Sequence, residues 1–154
     1  MGHGSPIMVG TERTDTPNRD WLITLGGGFK KPIVIVSTAV DSGNTGERTT
    51  KLRSGLVLGK ITATGASQGK YKECAENASD GSQGAMGILY SKVDMLDADA
   101  VAIDSLGTLL YGPSYVDSAK SYCSLTAGTQ TTLSACSTSL TALRGDGMVF
   151  KDDA

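Results

Sequence analysis

Large rings are scarce in this chain: one Trp, two Phe and five Tyr make up 5% of its 154 residues. A core without them is thin for its length, so assembly with other subunits is an expected source of further burial. Histidine is scarcer still. His3 stands alone near the N-terminus, and a Ser/His/Asp or Cys/His centre would have to use it there, without fixed geometry. The three cysteines, Cys74, Cys123 and Cys136, form no CxxC pair and no Cys/His cluster. That argues against zinc and leaves buried free thiols as the expectation. Neither sign of charge dominates, with 14 Lys and Arg against 16 Asp and Glu for a net charge of −2. Direct nucleic-acid binding is therefore not expected, because it needs a clustered basic excess. Long apolar runs are missing too: none approaches the ~20 residues of a membrane span, and no basic segment leads into an apolar one at the N-terminus. A soluble protein made in the cytoplasm is expected, with no cofactor and no membrane partner.

What is abundant is glycine, 20 residues of it, set beside short apolar runs. Two stretches organise the chain: Leu52-Arg-Ser-Gly-Leu-Val-Leu-Gly-Lys-Ile61 and Asp80-Gly-Ser-Gln-Gly-Ala-Met-Gly-Ile-Leu89. Both look like strands entering and leaving tight turns. The length suits one domain. On physical grounds alone the pattern predicts a small β-rich barrel or sandwich.

Before these stretches, residues 1–31 mix Gly, Pro, Thr, Asp and Asn with two apolar islands, Ile7-Met8-Val9 and Trp21-Leu22-Ile23-Thr24-Leu25, and then a Gly26-Gly27-Gly28 hinge. Two readings stand side by side. The islands pack onto their own domain as a first strand, or they add as strands to a partner's sheet. Pro32–Val36 reads as the strand that opens the folded domain. Further strands are expected over Leu56–Thr62, Tyr71–Ala75, Ala85–Tyr90 with Val93, Val101–Ile103 and Thr108–Tyr111, the last two flanking Leu106-Gly107. Ser114 reads as the N-cap of a short helix holding Tyr115, Ala119 and Tyr122. Leu133, Cys136, Leu140 and Leu143 share one face of a helix over Thr131–Arg144, stopped by Gly145 or Gly147, with Met148–Phe150 as a closing strand.

Chemical motifs are few. Gly55-Leu-Val-Leu-Gly59-Lys60 has one residue too few for a phosphate loop, and Ile61 stands where Ser/Thr would bind magnesium. Asp94, Asp97 and Asp99 lack the glycine and distal glutamate of a calcium loop, and read as solvated. Lys30-Lys31 and Lys70-Tyr-Lys72 read as surface. Arg144-Gly-Asp146 fits helix-end chemistry better than an adhesion signal. Asn77-Ala-Ser79 matches a glycosylation acceptor, but no secretion signal accompanies it. Asp41, Asp80 and Asp104 could meet in space, though nothing requires it, so a hydrolase reading has no motif behind it.

Taken in order, Leu52–Thr62, Lys70-Tyr71, Asp80-Gly-Ser82, Ala85-Met-Gly-Ile-Leu89 and Val93-Asp94 resemble the head decoration protein D family of lambda-like tailed phages. A fainter likeness follows in Leu143–Phe150. The residues that carry it are Gly55, Leu56, Val57, Leu58, Gly59, Asp80, Gly81, Gly87, Ile88 and Leu89. Residues 104–135 are longer and richer in Ser and Thr than the family pattern, and the N-terminal residues do not align.

The resemblance implies a β-rich α+β fold: a compact single domain, β-barrel or β-tulip-like, over residues 32–154, with one or two short helices and an extended N-terminal arm over 1–31. It implies a non-enzymatic cement protein on the outer surface of the virion, binding expanded capsids at three-fold sites as a homotrimer and holding the shell against DNA pressure. The partners implied are the major capsid protein and other copies of the chain. The arm would bind through Ile7, Met8, Val9, Trp21, Leu22, Ile23 and Leu25. A virion-displayed module that binds a glycan or receptor is the alternative reading, motivated by the Ser/Thr-rich segments.

Overall fold

Three apolar doublets, Val57-Leu58, Ile88-Leu89 and Leu109-Leu110, explain the architecture. Successive strand residues face opposite sides of a sheet, so each doublet sends one side chain to each face, and both faces must then be covered. The computed structural model, which describes residues 19–151, shows this arrangement. In chain order the strands are β1 (Leu22–Thr24), β2 (Phe29–Ile35), β3 (Lys51–Leu52), β4 (Val57–Lys60), β5 (Tyr71–Glu73), β6 (Ala85–Leu89), β7 (Val93–Asp94), β8 (Ser105–Tyr111), β9 (Tyr115–Val116), β10 (Tyr122–Thr126), β11 (Thr129–Thr132) and β12 (Val149–Phe150). Strands β2, β5, β4, β6 and β8 close into a barrel. The register sets Val57 opposite Ile88 and Ile88 opposite Leu110, while Leu89 faces Leu109.

One member of each doublet, Leu58, Leu89 and Leu109, joins Ile33, Ile35, Leu52, Leu56, Tyr71 and Met95 in the inner core. The other members, Val57, Ile88 and Leu110, lie on the outside of the wall. They are covered by Trp21, Val116, Leu133, Leu140, Leu143 and Phe150 in a second core. That cover consists of the sheet β1-β9-β12, the β10–β11 hairpin and the helix α1 (Ser137–Gly145). The fold class is thus β-rich with a closed barrel and one short α-helix among the described residues.

All four residues of the expected helix face, Leu133, Cys136, Leu140 and Leu143, are buried, and the last two lie in α1. It starts later than expected, however. Thr129–Thr132 pairs with β10, and Leu133–Ala135 is a 3-10 turn. Its end is a glycine stop at Gly147 (φ +94°), where the Met148 amide donates to the Leu143 carbonyl at 3.1 Å.

Two expectations over residues 101–122 are corrected. Leu106-Gly107 does not separate two strands, because both lie inside β8, and 101–103 supplies only an Ala102–Leu96 bridge. Gly107 belongs in the strand because the Ile35 side chain presses where its Cβ would be. Ser114–Tyr122 is not a helix either. Tyr115-Val116 forms the centre of a three-stranded sheet, antiparallel to β1 and parallel to β12, and only Ser118–Lys120 coils into a 3-10 turn capped by Asp117. Pairing on both sides outweighs the accidental helical spacing of the tyrosines.

Candidate functional site

The polar residues of the first glycine-marked stretch hold the N-terminal part of the described chain in place. Trp21 is 1% exposed. Its indole N–H donates to Ser54 Oγ at 2.8 Å, and Ser54 Oγ donates to the Tyr90 carbonyl at 2.9 Å. The indole lies over Gly55 (φ +100°), where a Cβ would come within 2.9 Å of the ring. Arg19 adds to the clasp, with its guanidinium 4.0 Å above the Tyr90 ring and its Nε donating to the Tyr90 carbonyl at 2.8 Å. Arg53, next to Ser54, makes a two-toothed pair with fully buried Asp41, Nε to Oδ2 at 2.8 Å and Nη2 to Oδ1 at 2.9 Å. The Gln130 amide donates to the same carboxylate at 2.8 Å, and the Asp41 bonds raise the Arg53 pKa.

The motif glycines have packing reasons as well. A Cβ at Gly59 would overlap the Ser82 carbonyl, one at Gly81 (φ +100°) would overlap Thr62, and one at Gly87 would overlap the Leu110 carbonyl. Asp80 caps this region by accepting from the Ser82 amide at 3.0 Å and from its hydroxyl at 2.5 Å, which lowers the Asp80 pKa. Gly55 to Gly59, Asp80-Gly81 and Gly87 to Leu89 therefore meet in and beside one stretch of barrel wall, β4 paired with β6.

Of the residues expected in the N-terminal arm, Ile7, Met8 and Val9 lie outside the described residues. In the second island, Leu22–Thr24 is β1, paired antiparallel with β9 of the same chain. Leu22 and Leu25 pack on the outer core, whereas Ile23 is 46% exposed. Gly26, Gly27 and Gly28 form a turn held to the domain, with the Gly27 amide donating to the Pro113 carbonyl at 3.1 Å and the Gly28 amide to Leu25 at 2.7 Å. Strand β2 runs through the domain boundary expected at residue 31.

Sheet β1-β9-β12 leaves β1 and β12 as its edges. Between them opens a shallow, mostly apolar groove of about 260 Å³ lined by Thr24, Gly26, Pro113, Ser114, Tyr115 and Val149. A second apolar surface lies on the uncovered side of the barrel, where Val34 of β2 pairs with Leu106 of β8. Leu106 is 76% exposed, an unusual position for a large apolar side chain on a paired strand.

The acidic residues weighed for catalysis are tied to separate partners. Asp41 holds Arg53, Asp80 holds Ser82, and Asp104 accepts from Lys70 at 2.7 Å and the Ser37 amide at 2.8 Å, which lower its pKa. Asp94 pairs with Arg48, and Asp97 accepts the Asp99 and Val101 amides in a turn. No group of three or more metal-ligating side chains is present among the described residues.

The family model of bacteriophage lambda head decoration protein D matches residues 31–111. The chain belongs to this family. The match runs from the third residue of β2 to the end of β8 and contains every glycine whose packing role is described above from Gly55 to Gly107. No curated protein and no solved structure matches the chain. Membership marks a structural protein of the phage capsid exterior, and no helix among the described residues is long and apolar enough to cross a membrane. The cover formed by β9 to β12 and α1 lies C-terminal to the matched residues.

Proposed function

We propose that this protein is a head decoration, or cement, protein that binds the outside of the expanded capsid at three-fold sites as a homotrimer. In that position it stabilises the shell against internal DNA pressure. The observation that carries this reading is the family match over residues 31–111, nearly all of the barrel. The contacts are with the major capsid protein and with other copies of this chain. Two features support assembly: the Val34–Leu106 stripe leaves apolar area uncovered on the barrel, and the sheet β1-β9-β12 has open edges beside an apolar groove.

The capsid-gripping segment is assigned to residues before Arg19, with Ile7, Met8 and Val9 as its apolar anchors, and Ile23 as the exposed continuation on β1. Trp21, Leu22 and Leu25 position that segment, because their side chains are committed to the domain. The test is a truncation that begins the chain at residue 19. It is expected to remain folded and trimeric and to lose binding to expanded capsids. Binding of that truncation at full strength would remove the gripping role. A deletion through Gly28 is a poorer test, since it also removes Trp21 and β1 from the outer core.

A further inference from the structure

Cys74, Cys123 and Cys136 are buried free thiols that the decoration role does not use. Cys74 follows β5 and Cys123 lies in β10, on neighbouring segments that share a parallel bridge at the adjoining rung, Ala75–Ser124. The Ser124 amide donates to the Cys74 carbonyl at 3.2 Å, which fixes the two backbones side by side. Neighbouring strands lie about 4.8 Å apart, within the Cα separation of roughly 4.4–6.8 Å that a disulfide spans. The side chains also converge: the Ser139 hydroxyl of α1 is 3.2 Å from Cys123 Sγ and 3.7 Å from Cys74 Sγ. Cys123 Sγ donates toward the Cys74 carbonyl at 3.6 Å.

We propose that Cys74 and Cys123 are a latent disulfide pair, closed by peroxide and reopened by thiols. The Cys123 thiolate attacks one peroxide oxygen, the O–O bond breaks, and the second oxygen leaves as water after taking a proton. Cys74 sulfur then attacks the sulfenic sulfur of Cys123. The S–S bond forms, the S–O bond breaks, and the departing oxygen leaves as water with the Cys74 proton. Two thiols and one peroxide thus give one disulfide and two waters, the sulfur pair being oxidised by two electrons.

The electrostatics agree with this order of events. The hydrogen bond with Cys74 lowers the Cys123 pKa and raises that of Cys74 itself. Cys136 also faces Cys123, with its own pKa raised by burial, and is the competing partner. Its backbone is fixed instead as the N-cap of α1, where its carbonyl accepts from the Leu140 amide at 2.9 Å. The cross-link would tie the barrel wall to the β10–β11 hairpin behind α1, limiting the unfolded chain.

The test treats the purified full-length protein with hydrogen peroxide, removes the excess with catalase, alkylates under denaturing conditions and maps the peptides. The expected result is a Cys74–Cys123 cross-linked peptide, alkylated Cys136, and a thermal midpoint raised by about 5 °C or more that dithiothreitol reverses. Cys136→Ser should give the same cross-link, and Cys74→Ser should give none. A Cys123–Cys136 cross-link, oxygen adducts without a disulfide, or three alkylatable thiols after peroxide would each overturn the proposal. The wild-type map and Cys136→Ser decide the matter even where Cys74→Ser fails to fold.

Discussion

Gly59 is the residue with least room to vary, because the Ser82 carbonyl occupies the place of its side chain. Gly59→Ala should cost about 3 kcal/mol, read from chemical denaturation, whereas Gly46→Ala, in open space, should cost under about 1 kcal/mol. The sequence places Gly59 in an expected strand and Gly46 in a polar segment, and both read as ordinary glycines. It does not show which one has room, since the difference depends on a carbonyl more than twenty residues away. Arg53→Met would leave the Asp41 carboxylate buried beside Gln130 without its cation, at a cost on the order of 3 kcal/mol. Two carboxylates should show opposite pH dependence. Asp80 has a lowered pKa, so its stabilisation is complete above the ordinary carboxylate range and is lost as pH falls through its folded value. Asp80→Asn should therefore lower the thermal midpoint at pH 7 and change little at pH 2. Burial raises the Glu73 pKa above its ordinary 4.5, so its contribution is present at low pH and is lost as pH rises through the folded value. Glu73→Gln should raise the midpoint at pH 7 and leave it unchanged at pH 3.

At the scale of elements, the apolar doublets were legible as strands but not as a shared wall between two cores. A doublet reads the same whether its second face meets solvent, a partner or an outer layer. The spacing of Leu133, Cys136, Leu140 and Leu143 marked four buried positions, of which Leu140 and Leu143 lie in α1, Cys136 caps it and Leu133 sits in the 3-10 turn before it. Tyr115, Ala119 and Tyr122 imitate that pattern over too few turns. Their true state depends on β1 and β12, which come from opposite ends of the chain. The Val34–Leu106 pair was hidden for the same reason, since it needs the β2–β8 register. For the proposed trimer, Leu106→Asp should shift solution mass toward the monomer, measured by light scattering. An unchanged trimer would place the subunit contact elsewhere on the surface.

For the molecule as a whole, the family was legible because its signature sits in the barrel wall, where glycine spacing records close approaches between strands. The N-terminal boundary was less so. Composition alone made residues 1–31 look like one arm, yet Arg19 and Trp21 are clamped by Tyr90, Ser54 and Gly55, and β2 begins at Phe29. An apolar island reads alike whether it covers its own domain or a neighbour. The outer core runs from Trp21 to Phe150 over the barrel wall, and gripping is proposed for the residues before Arg19. The proposed decoration role is tested most directly by adding the purified protein to expanded heads of its own phage prepared without it, and imaging them by electron cryomicroscopy. The account predicts added density on the outer surface at the three-fold positions, three copies at each. Heads that stay bare at saturating protein concentration would contradict it.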